Sequence, residues 1–208
     1  MLNKFIDNLE IGIDEAGRGS LIGRVYAAAV IWNIDFDNKN IIDSKKLTSK
    51  KRLEQDIWIK NNVHAWGIGW AENDEIDKLN ILKATEIAME RAINNLKIQF
   101  NLNEHINILI IDGLGWNNKF SNYNTYSVIK GDNKLYSIAA ASILAKVAHD
   151  NYIIDLCIEN NDLNDKYNLL KNMGYGTKKH INGIINYGVT KYHRISFKPC
   201  STIIQNLI

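Results

Sequence analysis

Three apolar, strand-like segments of this chain each run into acidic residues that have glycine close by. The first is followed by Asp14 and Glu15 in DEAGRG, the second, INILII, by Asp112, and a third, short segment by Asp132. Glycine within such a pattern marks the end of a strand or a tight bend. In α/β sheets, sites form where strand ends meet near the centre of the sheet. The strands must therefore be arranged so that four carboxylates share one edge.

Hydrophobic periodicity predicts the elements around these acids. Strands are predicted at 9–14, 25–32, 63–71, 106–111 and 126–129, with the first two forming a hairpin through the glycine-rich turn at 17–23. Helices are predicted at 48–60 (with Thr48 as N-cap), 80–97, 137–158, 162–172 and 178–187. A hairpin followed by further strands and helices predicts an α/β fold with a mixed sheet flanked by helices on both faces.

Composition limits the possible classes of protein. The chain has 208 residues, enough to bury a core, and its formal net charge of +2 is too small to indicate a nucleic-acid binder unless basic residues cluster. Its two cysteines lack metal-site spacing and are predicted to be free thiols in a reducing compartment. The N-terminus does not resemble a signal peptide, and no apolar run approaches the ~18 residues of a membrane span. We expect a cytoplasmic protein without a membrane partner.

Four clustered carboxylates indicate a metal site. Without a cation they would repel one another and raise one another's pKa values. Oxygen-only ligand sets suit Mg²⁺ or Mn²⁺ and not zinc, and two such ions ~3.5–4 Å apart catalyse in-line phosphodiester hydrolysis. Any single Asp-Gly pair is more often a simple turn, so the prediction depends on the joint occurrence.

Asp150 competes with Asp132 for the fourth position. If one continuous helix joined them, the two would lie ~27 Å apart, at about 1.5 Å per residue. They could not then bind the same metal pair. Asp132 lies at a predicted strand-to-helix break, as the other acids lie at strand ends. We therefore choose Asp132 and interpret Asp150 as a structural or salt-bridging acid.

The same residues belong to a longer series of motifs that resembles ribonuclease HII, the type 2 ribonuclease H family. The series covers nearly the whole chain: DEAGRG at 14–19, DSKKL at 43–47, IDG at 111–113, KGD at 130–132, IAAASILAKV at 138–147, GYGT at 174–177 and HRISF at 193–197. The resemblance implies a ribonuclease H-like core over 1–160 and a C-terminal helical substrate-binding region over 161–208, packed on that core.

The resemblance also implies an activity: metal-dependent endonucleolytic cleavage of RNA in RNA–DNA hybrids, and 5′ of single ribonucleotides in duplex DNA. The products would carry 3′-hydroxyl and 5′-phosphate ends. Two Mg²⁺ or Mn²⁺ ions would be held by the four carboxylates, which serve as both catalytic and metal-binding residues: Asp14, Glu15, Asp112 and Asp132.

Further residues match the family's substrate-binding positions. Gly17, Arg18 and Gly19 match the loop that senses the 2′-hydroxyl, which is the group that separates RNA from DNA. Tyr175 matches the tyrosine that contacts the sugar at the DNA–RNA junction. Phosphates would be held by basic side chains, namely Lys45, Lys46, Lys146 and also Arg194. No role is assigned to His180 or His193.

Some features depart from the family pattern or leave alternatives open. The family's usual Arg-Asp after IAAASILAKV is His149-Asp150 here, and the segment after GRG lacks the usual prolines. Another nuclease or integrase-type enzyme on the same fold is one alternative, and a non-catalytic nucleic-acid binding module is another. A sister type 2 enzyme with an extra N-terminal domain is disfavoured, because few residues precede the first predicted strand. The tail at 203–208 weakly resembles a sliding-clamp peptide, although docking on its own domain is the simpler interpretation.

Overall fold

A computed structural model describes residues 10–32, 38, 40–102 and 106–205. It contains a five-stranded sheet whose strands are β1 (Ile11–Ala16), β2 (Val25–Ile31), β3 (Ala65–Ala71), β4 (Ile108–Asp112) and β5 (Asn124–Val128). The helices are α1 (Ser49–Asn62), α2 (Asn73–Leu79), α3 (Ile81–Gln99), α4 (Tyr136–Glu159), α5 (Asp162–Tyr167), α6 (Leu169–Asn172), α7 (Lys178–Tyr187) and α8 (Cys200–Gln205). Among these residues, no helix is long and apolar enough to cross a membrane.

The sheet is mixed, as predicted. Its strand order is β3-β2-β1-β4-β5, in which β2 pairs antiparallel with both β3 and β1, whereas β4 and β5 run parallel to β1. The predicted hairpin of the first two strands is confirmed. Because β1 and β4 are parallel neighbours at the centre of the order, residues at their carboxyl ends lie side by side.

Helices α3 and α4 cover opposite faces of the sheet. Ile11 and Ile13 of β1 pack in one core cluster with α3, whereas Ala16 packs in another with α4. On β3, a Cβ at Gly69 would lie 2.3 Å from the carbonyl oxygen of Ala88 in α3. Glycine on β3 therefore lets the α3 backbone approach the sheet closely.

The C-terminal helices form a third packing unit. Their core joins the end of α4 to the segment after the Gly-Arg-Gly turn through buried residues that include Leu21, Ile22, Ile153, Tyr167 and Ile184. The predicted helix at 162–172 is two short helices, because Asn168 between them adopts a left-handed conformation with φ 58°. Helices α2 and α8 were not predicted.

Candidate active site

The register of the central strands places Asp14 beside Asp112. Ile13 of β1 pairs with Ile111 of β4, so the following residues, both acidic, stand level on parallel strands. Asp14 is buried, its carboxylate accepts a hydrogen bond from the Glu15 backbone N–H at 2.8 Å, and the hydroxyl of Ser142 in α4 lies close enough to oppose the rise of its pKa. Asp14 therefore lies between the sheet and α4.

Glu15 lies inside β1 and not beyond its end, contrary to the prediction. We expected the strand to stop at Asp14, but β1 continues to Ala16, so Asp14 and Glu15 point to opposite faces. Arg18 Nη1 donates to Glu15 Oε1 at 3.0 Å, while Glu15 Oε2 is buried without a hydrogen-bond partner. The Glu15 carboxylate still lies close enough to Asp112 for that charge to raise its pKa. Asp14 and Glu15 are therefore neighbours within one continuous strand, and the charge of Asp112 acts on both carboxyl groups.

Asp132 lies next to Asp112, in a 3₁₀ turn at Gly131–Asn133. The Gly131 backbone N–H donates to Asp112 Oδ1 at 2.6 Å, so the turn is fastened to the β4 carboxylate. Asn133 Nδ2 donates to Asp132 Oδ1 at 2.8 Å, and Lys45 Nζ lies 4.0 Å from Asp132 Oδ2. The structure thus brings all four predicted acids to one edge of the sheet.

Burial and mutual repulsion perturb these carboxyl groups. Burial raises the pKa of Asp14 well above its ordinary value, and the charges of Glu15 and Asp112 raise it further. Burial also raises the pKa of Glu15 and of Asp112, although hydrogen bonds from Arg18 and Gly131 respectively oppose these shifts. Burial lowers the pKa of the Lys45 ammonium, but the neighbouring carboxylates, Asp132 foremost, raise it overall. The site therefore has excess negative charge that a cation would neutralise.

The donor chemistry fits a hard divalent cation. All four side chains offer only carboxylate oxygens, and Glu15 Oε2 is a buried acceptor without a donor. In the described ranges, no three His, Cys, Asp or Glu side chains stand close enough to enclose a metal ion as they are placed. Arg18 on Glu15 and Lys45 near Asp132 supply positive charge there instead.

An open cavity of about 550 Å³ borders two of the four acids, Asp112 and Asp132. It is lined by Asp43, Lys45, Lys46, Asp112, Lys130, Asp132 and Asn133. The Lys45 side chain is 78% exposed, and the Lys46 ammonium hydrogen-bonds the side-chain oxygen of Asn133. The predicted lysines of the DSKKL segment therefore face the same space as the acids.

The Gly-Arg-Gly turn and Tyr175 are in direct contact. Ser20, the residue after Gly19, forms a β-bridge with Tyr175, and the Gly17 backbone lies close enough to the Tyr175 hydroxyl to lower its pKa, although burial raises that pKa overall. A Cβ at Gly19 would lie 3.7 Å from the tyrosine ring. Lys146 Nζ lies 5.4 Å from the centre of that ring. These predicted substrate-binding residues form one continuous surface.

Asp150 forms ion pairs away from the four carboxylates, as predicted for a salt-bridging acid. Its oxygens lie 2.7 Å from Lys146 Nζ and 3.3 Å from Arg52 Nη1. The ring of His149 is fully buried, with Nδ1 3.2 Å from Asp150 Oδ1 and Nε2 without a partner. Burial lowers the pKa of His149, so the ring is neutral near pH 7.

The prediction that Arg194 holds phosphates is wrong. Its side chain is fully buried and donates to three backbone carbonyls, those of Gly23, Arg18 and Arg24, at 2.9, 3.0 and 2.8 Å. With its hydrogen bonds directed at the chain itself, Arg194 holds the glycine-rich turn from behind.

Several residues near the site were missed in the sequence. The Ser142 hydroxyl lies near Asp14 and 3.0 Å from the hydroxyl of Ser44. Arg52 donates to the Ser44 and Leu47 carbonyls at 3.1 and 3.0 Å. Trp116 Nε1 donates to the Asp112 carbonyl at 3.0 Å. The serine in the AAAS block was the only visible signal, and it was interpreted as a small packing residue.

Comparisons with known proteins agree on one family. The family model described as ribonuclease HII matches residues 11–200. A curated ribonuclease HII of Pelagibacter ubique is 49% identical over 196 residues, covering 93% of this chain and 97% of that protein. In fold, the chain is similar to the ribonuclease H2 of Pyrococcus horikoshii OT3, with TM-score 0.72, 20% identity and coverage of 96% and 98%. It is also similar to Bst-RNase HIII in complex with Mn²⁺, with TM-score 0.70, 19% identity and coverage of 95% and 70%.

Proposed function

The chain belongs to the ribonuclease HII family and is a type 2 ribonuclease H endonuclease, and from that premise we propose its substrates and products. It cleaves the RNA strand of RNA–DNA hybrids and cuts 5′ of single ribonucleotides embedded in duplex DNA. Its products carry 3′-hydroxyl and 5′-phosphate ends. The observation that carries this proposal is the meeting of four carboxylates at one sheet edge, with the Gly-Arg-Gly turn packed against Tyr175 in the same molecule.

The family depends on divalent metal ions. We propose that Asp14, Glu15, Asp112 and Asp132 would hold two Mg²⁺ or Mn²⁺ ions. When bound, such a pair supplies an activated water and charge stabilisation for the leaving 3′-oxygen. The contribution of the chain is to keep these partly or fully buried carboxylates close together, with the Gly131 N–H orienting Asp112 and the Glu15 N–H orienting Asp14.

Substrate positioning is assigned to the surface beside the acids. The backbone of Gly17, Arg18 and Gly19 approaches the ribose, and glycine allows that approach because it has no side chain. The ring of Tyr175 rests against the neighbouring deoxyribose, where an added hydroxyl would not fit. Lys45, Lys46 and Lys146 contact phosphates, which positions the duplex without reading its sequence.

We also propose a domain division, a cellular location and a clamp contact for the chain. The division into a core over 1–160 and a substrate-binding region over 161–208 agrees with the separate packing of the C-terminal helices. Cytoplasmic location and sliding-clamp binding through 203–208 also stay predictions, and residues 206–208 lie outside the described part of the chain. A non-catalytic binding module is disfavoured, because the chain keeps all four acids.

The test uses an end-labelled DNA duplex with one ribonucleotide, beside an all-DNA duplex and a continuous RNA–DNA hybrid. Each is incubated with the protein in Mg²⁺, in Mn²⁺ and in EDTA. We expect a metal-dependent cut 5′ of the ribonucleotide and none in the all-DNA duplex. Asp132→Asn should reduce the rate by at least ~100-fold, because it removes one charge from the carboxylate set.

Asp150→Asn is the matched control. It loses ion pairs to Lys146 and Arg52 but no carboxylate of the site, so it should lower stability while the rate stays within ~10-fold of wild type. If Asp132→Asn cuts at the wild-type rate, the fourth carboxylate is wrongly assigned. Binding of the ribonucleotide duplex without any cleavage would favour the non-catalytic module.

A further inference from the structure

Two histidines outside the carboxylate site are buried against each other. His180 in α7 is 0% exposed and His193 is 1% exposed, and their Nε2 atoms lie 3.2 Å apart. Burial lowers the pKa of both rings, that of His193 to about 3, where the neighbouring His180 adds to the shift. Both rings are therefore neutral near pH 7, and one Nε2 must donate to the other.

Backbone groups at the two ends of the pair decide the direction of this hydrogen bond. The Thr190 backbone N–H donates to His193 Nδ1 at 3.0 Å, so the proton of the neutral His193 ring is on Nε2. His193 Nε2 then donates to His180 Nε2, and the His180 proton is on Nδ1. That Nδ1 lies 3.1 Å from the carbonyl oxygen of Tyr175 and donates to it. A single chain of bonds runs from Thr190 to the backbone of Tyr175.

Arg194, the residue after His193, holds the Gly-Arg-Gly turn, which is the other half of the substrate-sensing surface. Arg194 donates to the carbonyls of Arg18, Gly23 and Arg24, and its own N–H donates to the Leu21 carbonyl at 2.9 Å. Adjacent residues of one segment thus hold the glycine-rich turn through Arg194 and Tyr175 through the histidine pair. Tyr175 itself contacts the turn, because Ser20 forms a β-bridge with it and the Leu21 N–H donates to the Gly174 carbonyl at 2.8 Å.

We propose that His180 and His193 are positioning residues that set the distance between Tyr175 and the Gly-Arg-Gly turn, and thereby the preference for a ribonucleotide followed by a deoxyribonucleotide. This inference rests on the proposed function. Neither ring touches the substrate. Each acts by fixing the Tyr175 carbonyl, and with it the plane of the aromatic ring.

Substrate specificity here depends on the steric fit between the Tyr175 ring and the deoxyribose that follows the ribonucleotide. A ring that rejects an added hydroxyl must be held to a fraction of an ångström, and a misplacement of about 1 Å can cost ~100-fold in a well-oriented site. Losing the bond to the Tyr175 carbonyl should therefore harm substrates with a DNA–RNA junction more than a continuous RNA strand, where no deoxyribose follows the cut.

Position 180 offers a matched pair of variants. The side-chain amide of Asn can stand in place of Nδ1 and donate to the Tyr175 carbonyl, whereas the amide of Gln stands in place of Nε2 and cannot. His180→Gln should raise KM on the single-ribonucleotide duplex by about 10-fold, with kcat within about 2-fold. On the continuous hybrid both constants should stay within about 2-fold. His180→Asn keeps the donor to the Tyr175 carbonyl and loses only the acceptor for His193, so it should stay much closer to wild type on both substrates.

Two further measurements do not depend on cleavage. Binding in EDTA to the single-ribonucleotide duplex and to all-DNA duplex gives a discrimination ratio, which His180→Gln should lower and His180→Asn should keep. Nitrogen-15 NMR of the wild-type imidazoles should show His180 with its proton on Nδ1 and His193 with its proton on Nε2. Unfolding curves of both variants report whether they remain folded.

The outcomes separate the two proposals. A wild type that binds the ribonucleotide duplex selectively but never cuts it refutes the proposed function, while the binding ratio still tests the histidine pair. The positioning role is refuted if His180→Gln keeps the wild-type preference between substrates. It is also refuted if both variants lose activity equally on every substrate, or if His180 has its proton on Nε2.

Discussion

At the scale of single residues, two side chains of the same type can differ in pKa because of their surroundings. Asp14 is buried and Asp150 is partly buried, yet burial beside other carboxylates raises the pKa of Asp14, whereas Asp150 has a lowered pKa. Burial opposes that lowering, and hydrogen bonds from His149 and Lys146 outweigh it. An acid surrounded by acids needs a cation from outside, while an acid surrounded by bases is already neutralised. This distinction separates a site for metal from a structural ion pair.

The contact between Gly17 and His149 leads to a prediction at this scale. Gly17 has φ 84°, and a Cβ there would lie 2.3 Å from His149 Cδ2. Gly17→Ala should lower the free energy of unfolding by about 2–4 kcal/mol, combining left-handed backbone strain with overpacking. Gly188 has φ 79° with nothing within 4 Å, so Gly188→Ala should cost only the backbone strain, about 1–2 kcal/mol. Equal losses in chemical denaturation would show that the His149 contact yields without cost.

The residue types of the site were predictable from the sequence, but their partners were not. Acid and glycine beside an apolar run are visible in one dimension, which is why Asp14, Asp112 and Asp132 could be grouped. The direction of the Glu15 side chain depends on β1 continuing to pair with β2 for two residues beyond Asp14. The burial of Arg194 depends on contacts with a turn far away in sequence. Sequence spacing has no information about such contacts.

At the scale of elements, predictions succeeded where local signals were strong. Helix α7 was predicted at 178–187 and is found there, and Thr48 caps α1 as expected, with its hydroxyl accepting from the Lys51 N–H at 3.3 Å. Helix α2 was missed because it spans seven residues and buries only Ile76, so it shows no apolar period. Its start is fixed by reciprocal capping between Glu72 and Glu75, a signal that is weak without a hydroxyl-bearing cap.

The contact between β3 and α3 can be tested through Gly69. A Cβ there would meet the Ala88 carbonyl oxygen and the Ala92 nitrogen at 2.3 Å each, and both atoms belong to the helix backbone. Gly69→Ala should therefore lower the free energy of unfolding by about 3 kcal/mol, because a whole helix must move. Ile98→Ala is the control: its side chain on α3 is 79% exposed, so the change should stay within about 0.5 kcal/mol. A loss at Gly69 no larger than the control would mean that α3 is packed loosely on the sheet.

At the scale of the whole molecule, the candidate site joins three separately packed regions. The sheet supplies Asp14, Glu15 and Asp112, while the turn that leads into α4 supplies Asp132 and α4 itself supplies Lys146. The loop between α6 and α7, in the C-terminal helical region, supplies Tyr175. The buried histidine pair belongs to the third region, and its neutrality makes the stability of the molecule depend on pH.

The pH dependence of stability follows from the lowered pKa of His193. The titratable rings that face His193 are His180, and Tyr167 with its centre 4.9 Å away. The pKa of His193 is lowered to about 3, so as pH falls below the ordinary value of about 6.5 the unfolded chain binds a proton that the folded chain refuses. The stability contribution is therefore complete above about pH 6.5 and is lost progressively toward pH 3.

His193→Gln removes this titration but keeps an N–H that can donate to His180. Between pH 7 and pH 5 the free energy of unfolding of wild type should fall by about 2 kcal/mol more than that of the variant, as measured by urea denaturation at each pH. The variant should be less stable at pH 7, because it loses the bond from the Thr190 N–H, and the two curves should converge as the solution is acidified. Parallel curves would mean that His193 is protonated as readily in the folded molecule as in the unfolded chain, and a neutral pair could then not hold Tyr175.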